Sequence, residues 1–181
     1  MPDAILRPEI PSVTVTQAKK GYMEEATDIE GWIAVQGNVV EGHRVASGRA
    51  QNTPHPDGTI ALQVEHFARR GLMLDAFYPA TVNVSIHPFR AELFHPKHTF
   101  HEVRWTTLHA PETFSFSRCY LEYQQRRHES WVYHPHLETK AGHIQPDAVV
   151  EVISPLIPGL TYGSRVTLYL DPREVRLIPA D

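Results

Sequence analysis

The stretch FYPATVNVSI (Phe77 to Ile86) places two oxygen-bearing side chains, Thr81 and Asn83, in a run that otherwise reads as a β-strand. Side chains alternate along a strand, so Val82, Val84 and Ile86 face one way and Thr81, Asn83 and Ser85 the other. With a rise of about 3.3 Å per residue, the Cα atoms of Thr81 and Asn83 lie roughly 6.5 Å apart. A hydroxyl and an amide carbonyl at that spacing can converge on one hard cation. Mg²⁺ suits such a pair, because it keeps several waters and takes few protein ligands, usually alongside substrate phosphates. The same alternation also describes a strand side that simply faces water. Glu151, in AVVEVIS, is a second chemical signal. Ala148, Val150 and Val152 share one face and Val149, Glu151 and Ile153 the other, as in a strand covered on both sides. A carboxylate there must find donors, because burying it unpaired is costly. It serves either a structural partner, such as an arginine or backbone amides, or a ligand.

Twelve histidines add a third signal, densest in YHPHLETKAGH, which carries His134, His136, Glu138 and His143. His134 and His136 face the same side of an extended segment, as two imidazole ligands to a transition metal would. A cupin metal site also begins with His-x-His. Here Glu138 follows too closely and the flanking glycines are missing, so a cupin is not expected. Two prolines sit near the pair, and the histidines equally suit a loop lining. His95, His98 and His101 are spaced by three around Pro96, which breaks a helix, and read as a solvated turn. Cys119 has no local base and reads as a buried thiol. The segment VASGRA lacks the Gly-x-Ser-x-Gly of a nucleophile elbow.

The elements that must position these groups are mostly strands. TIALQVEHFARRGL sets Ile60, Val64, Phe67 and Gly71 at helical spacing, with Asp57 or Thr59 able to cap its start and Gly71 its end. WIAVQGNVV before it, and TVNVSIH, AELFH, HEVRWTT, TFSFSRCYLEY, SWVYH, AVVEVIS, SRVTLYL and EVRLI after it, are short strand-like runs between turn residues. One helix among many short strands predicts a mainly β barrel or sandwich. Residues 1–28 carry three prolines and a polar TQAKKGYMEEATD segment, and read as an N-terminal arm; 29–181 read as one β-barrel domain.

Composition fits a globular chain of 181 residues, with 41% hydrophobic and 21% charged positions. A net charge of −4, from 17 basic and 21 acidic residues, gives no broad footprint for nucleic acid. No run of 18 apolar residues predicts a membrane span, and MPDAILRPEIPSV lacks the basic-then-apolar pattern of a secretory signal. A single cysteine excludes an internal disulfide, so a cytoplasmic protein is expected.

In their order along the chain, the pieces from about Gly31 to Leu170 resemble the archaeal CTP-dependent riboflavin kinases, a family of six-stranded cradle-loop barrels. GNVVEGHRVASG keeps Gly37, Val39 and Gly42 of that family's first strand and glycine loop. VEHFARRGL matches its helix ending in Leu-Gly, and PATVN its P-G-T-L-N turn and strand. ETKAGH, VVEVISP and LTYGSRV follow in the family's order. The resemblance implies Mg²⁺ on Thr81 and Asn83, flavin contacts from Thr139 and Glu151, and a phosphate-cradling loop over Gly42 to Gly48. The chain departs from the pattern in that loop, which carries Arg44 and Arg49 in place of Gly-Leu-Gly-Glu-Gly, and in LIPGL after Pro155. The implied protein is a phosphotransferase. It would move a phosphoryl group from a nucleoside triphosphate to riboflavin or a similar small hydroxyl acceptor, with Gly42, Arg44, Gly48 and Arg49 on the nucleotide and Glu151 orienting the acceptor or acting as base. A barrel that only binds a nucleotide or flavin, and a transition-metal enzyme using His134, His136 and His143, are the alternatives.

Overall fold

A computed structural model describes residues 29–42, 58–108, 110–136 and 148–180. The expected arm at 1–28 lies outside them. In chain order the elements are β1 (Ile33–Val40), α1 (Thr59–Ala68), β2 (Thr81–Ser85), β3 (Phe89–Leu93) and β4 (His98–Val103). They continue with β5 (Glu112–Tyr123), β6 (Arg126–Pro135), β7 (Val149–Ile153), β8 (Arg165–Leu170) and β9 (Val175–Pro179). Each strand-like run of the sequence thus overlaps a strand, although β3 and β4 begin before AELFH and HEVRWTT.

All pairings are antiparallel, in the order β4-β5-β6-β7-β2-β1-β8, and β8 returns to pair with β5. Six strands, β5, β6, β7, β2, β1 and β8, therefore close into a ring. Strand β5 makes this possible by its length of 12 residues. Its first half pairs with β4 from His98↔Phe116, while Cys119 to Glu122 pair with β8 on the same edge. The period of two then sorts the side chains. Val35 and Val39, Val84, Cys119 and Leu121, Val132, Val150 and Val152, and Val166, Leu168 and Leu170 pack together inside the ring, with every ring strand contributing. A separate pair, β3 with β9, adds Phe89, Leu93, Val175 and Leu177 to this core.

Outside the ring, α1 covers the face built by β4, β5, β6 and β7. Ile60 and Phe67 pack there with Phe100, Phe114, Phe116, Tyr133 and Ile153. The Phe67 ring meets Phe116 edge-on at 4.9 Å and Phe114 at 5.4 Å between centroids. The helix ends as its sequence predicts. The Leu72 amide donates to the Phe67 carbonyl and the Gly71 amide to that of Ala68, the paired bonds of a Schellman cap, with Gly71 at φ +95°.

Three local expectations are corrected. Gly58 is the N-cap of α1, and no side chain caps that end, so Thr59 does not serve; Asp57 lies outside the described residues. The buried stripe of α1 is Ile60, Gln63 and Phe67, with Val64 only half-buried. His98 and His101 belong to β4 rather than to a turn, because Phe100 between them is drawn into the aromatic layer beneath α1. Among the described residues no helix is long and apolar enough to cross a membrane.

Candidate functional site

Cross-strand register builds the site. Asn83 on β2 stands opposite Val40 on β1 and Glu151 on β7, whereas the next residue along, Val84, stands opposite Val39 and Val150. Since Val39, Val84 and Val150 point into the ring, Asn83 and Glu151 share its outer face. Directly opposed residues on one face have their Cβ atoms about 4.5–5.5 Å apart, within mutual reach of an amide and a carboxylate. Thr81, two residues before Asn83, is half-buried on the same face opposite Ile153. The β6–β7 register, Trp131↔Ile153 and Val132↔Val152, carried one step further sets Tyr133 opposite Glu151. A row runs across four strands: Val40, Asn83, Glu151, Tyr133.

Two features mark Asn83. Its Oδ1 is sealed from solvent and accepts no hydrogen bond. Leaving a buried acceptor unsatisfied costs about 1–3 kcal/mol, so the position is one where a donor or a cation would be welcome. Gly42, just past the end of β1, lies so close that a Cβ built on it would sit 1.7 Å from the Asn83 Nδ2 and 2.8 Å from Cγ. Any side chain at 42 would displace the amide. The loop residue that the sequence singles out is therefore the one resting on the strand residue that the sequence singles out.

Behind the row lies a buried polar layer. The Tyr133 hydroxyl donates to Gln63 Oε1 of α1 at 3.0 Å, both residues being buried. Burial, followed by the negative charges of Glu151 and Glu112, pushes the Tyr133 hydroxyl well above its ordinary range, against the pull of the Gln63 bond. Tyr133 is thus a neutral donor that stays neutral. Glu112, buried on β5, accepts a 2.6 Å bond from the Trp105 indole. Sequence reading missed Gln63, Tyr133 and Glu112. Gln63 left a signal, an amide within an otherwise apolar helical stripe; Tyr133 and Glu112 left none, since their roles depend on strand partners distant in sequence.

The structure brings together Gly42, Thr81, Asn83 and Glu151 out of the residues expected to act together. Arg44, Gly48, Arg49 and Thr139 lie outside the described residues. Of the alternative metal set, His143 also lies outside them, while His134 and His136 stand side by side with ring centroids 5.2 Å apart. They occupy the face of β6 opposite to Tyr133, so they form a separate place on the molecule. Among the described residues no group of three or more His, Cys, Asp or Glu side chains surrounds a common point.

An amide oxygen without a donor and the Thr81 hydroxyl on the same face form a hard-oxygen pair, and the half-buried Glu151 carboxylate stands across from Asn83. Such a pair holds Mg²⁺ together with substrate phosphates better than it holds a soft metal. The donor set therefore fits the ion that the sequence suggests. No family model and no curated protein matches the chain.

Proposed function

We propose that this protein is a riboflavin-kinase-like phosphotransferase, taking a phosphoryl group from a nucleoside triphosphate to riboflavin or a similar small hydroxyl acceptor. One observation carries the reading: the orphaned Oδ1 of Asn83, cross-strand from Glu151 and roofed by Gly42. The six-strand ring and the resemblance of the motifs along the chain support it further.

Phosphoryl transfer asks for positioning and charge neutralisation rather than covalent help. Mg²⁺, when bound, would supply the neutralisation of the nucleotide phosphates; Asn83 and Thr81 would hold it, and Gly42, having no side chain, leaves the Asn83 amide its place. Glu151 orients the acceptor hydroxyl and takes its proton. Tyr133, which stays neutral, and Gln63 fix the wall behind Glu151.

The test is direct. Purified protein is incubated with riboflavin, Mg²⁺ and each of ATP, GTP, CTP and UTP in turn, and flavin products are separated chromatographically. FMN with one donor, lost in Asn83→Ala, is the expected result. No FMN with any donor overturns the transfer reaction; if Mg²⁺-nucleotide still raises the melting temperature, the barrel binds without turnover.

A further inference from the structure

The opposite face of β6 carries a second arrangement that the phosphotransferase reading does not use. His134, at the exposed end of β6, and His136, just beyond it, lie on one side of an extended segment. Pro135 between them is buried the other way, opposite Phe114, and the His136 amide donates to the Thr113 carbonyl at 2.9 Å. The backbone under both rings is therefore fixed. Ser115 on β5 stands opposite His134 in register, and its hydroxyl lies 2.8 Å from His136 Nε2. That hydroxyl in turn meets Thr99 Oγ1 of β4 at 2.9 Å. Ser115 is 1% exposed, so this chain of hydroxyls is an internal brace holding one imidazole nitrogen.

We propose that His134 and His136 form a two-imidazole site for a divalent transition-metal ion of the Zn²⁺ class, distinct from the oxygen site at Asn83. Metal-bound imidazoles characteristically have their second nitrogen held by a hydrogen-bonding partner, which fixes ring orientation and tautomer. Ser115 does this for His136 through Nε2, which directs Nδ1 to the ion. Two imidazoles on one tetrahedral ion, each at about 2.0–2.1 Å from nitrogen to metal, have ring centres roughly 5 Å apart. The observed centroid separation is 5.2 Å, with the rings at 68° to each other. His134 is exposed, so the ion enters from solvent. Ligand chemistry keeps the two sites apart. Imidazole selects Zn, Ni or Cu, whereas carboxylate and amide oxygen suit Mg²⁺, so Mg²⁺ does not compete for the histidines.

Zn²⁺ titrated calorimetrically into the full chain, in excess Mg²⁺, is expected to show saturable binding of one ion. His134→Ala and His136→Ala each abolish that phase while keeping the metal-free melting transition, since both side chains reach the surface. Ser115→Ala and Thr99→Val weaken Zn²⁺ by about 10–100-fold for Ser115 and less for Thr99, as loss of an orienting partner does. His101→Ala, on the exposed side of β4, changes nothing. Absence of saturable binding in the wild type, or one-site binding unchanged in both histidine variants, overturns the site. A normal affinity in a folded Ser115→Ala variant overturns the brace.

Discussion

Gly42→Ala is the sharpest test of the site, because a single methyl group reports on one contact. A Cβ at 42 would stand 1.7 Å from Asn83 Nδ2, against a floor of 3.0 Å that real Cβ contacts respect, so one of the two must retreat by about 1.3 Å. The amide is the softer partner, being the end of a side chain. Forcing an extra methyl into a packed position costs about 1–3 kcal/mol, and here much of it is relieved by turning Asn83 aside. The melting temperature should therefore fall only slightly. Function should fall much further, since misplacing a positioning group by about 1 Å can cost on the order of 100-fold.

A double-mutant cycle settles the cause. Affinity for Mg²⁺-nucleotide is measured calorimetrically for the wild type, Gly42→Ala, Asn83→Ala and the double variant. If Gly42 acts by giving Asn83 room, adding Gly42→Ala to Asn83→Ala costs almost nothing further. Additive losses would refute the reasoning, as would Gly42→Ala binding as well as the wild type.

Three other consequences concern stability. Gly37→Ala puts a Cβ 2.5 Å from Val84 Cγ1 and 2.7 Å from the Ser85 carbonyl oxygen, a backbone atom that cannot turn aside; we expect a loss of about 1–3 kcal/mol in urea unfolding. The β5–β6 turn places Gln124 and Gln125 at φ 49° and 63°, so Gln124→Asn with Gln125→Gly should gain about 1 kcal/mol, read from the same unfolding midpoint. The hydrogen bond from Arg173 holds the buried Asp171 carboxyl below its ordinary value, against desolvation. A lowered folded-state value gives stability that is complete above the unfolded value, about 4, and is lost as pH falls through the folded one. Arg173→Ala should thus melt lower than the wild type at pH 7, with the gap closing in acid; a gap that stays constant would exclude this linkage.

The sequence carried whatever depends on near neighbours. Strand-like runs between turn residues overlapped all nine strands, and the Phe67-to-Gly71 spacing located both the helix and its cap. Alternation placed Thr81 and Asn83 opposite Val84 and Ile86, and Glu151 opposite Val150 and Val152, as the ring and the α1 layer require. Closure of β5 against β8 was not legible, because it joins Cys119 to Leu170 and no local pattern encodes a partner so far away. The β5–β6 turn was equally silent, since two glutamines carry none of the Asn-Gly chemistry that such turns favour. Asn83 facing Glu151 belongs to the same class. Both residues stood out singly, but only register joins them.

That pairing also separates two kinds of buried polarity in this fold. At the end of β8, Arg118 donates from Nε to Glu174 at 2.8 Å and from Nη2 to Asp171 at 2.6 Å, and its backbone amide donates to Glu174 at 2.8 Å. Every carboxylate there is met by donors, and a fully satisfied network is what holds a corner rigid. Around Asn83 the pattern differs. Among the described residues, three buried side-chain atoms accept or donate no hydrogen bond: Asn83 Oδ1, Arg90 Nε and Ser117 Oγ. Arg90 stands opposite Ile178 and Ser117 opposite Val132, whereas Asn83 alone of the three stands opposite a carboxylate. An outer strand face needs no such row to fold; apolar residues would seal it at lower cost. Substitutions in the Arg118 network should therefore register in stability and leave ligand affinity alone, and substitutions at Asn83 should do the reverse.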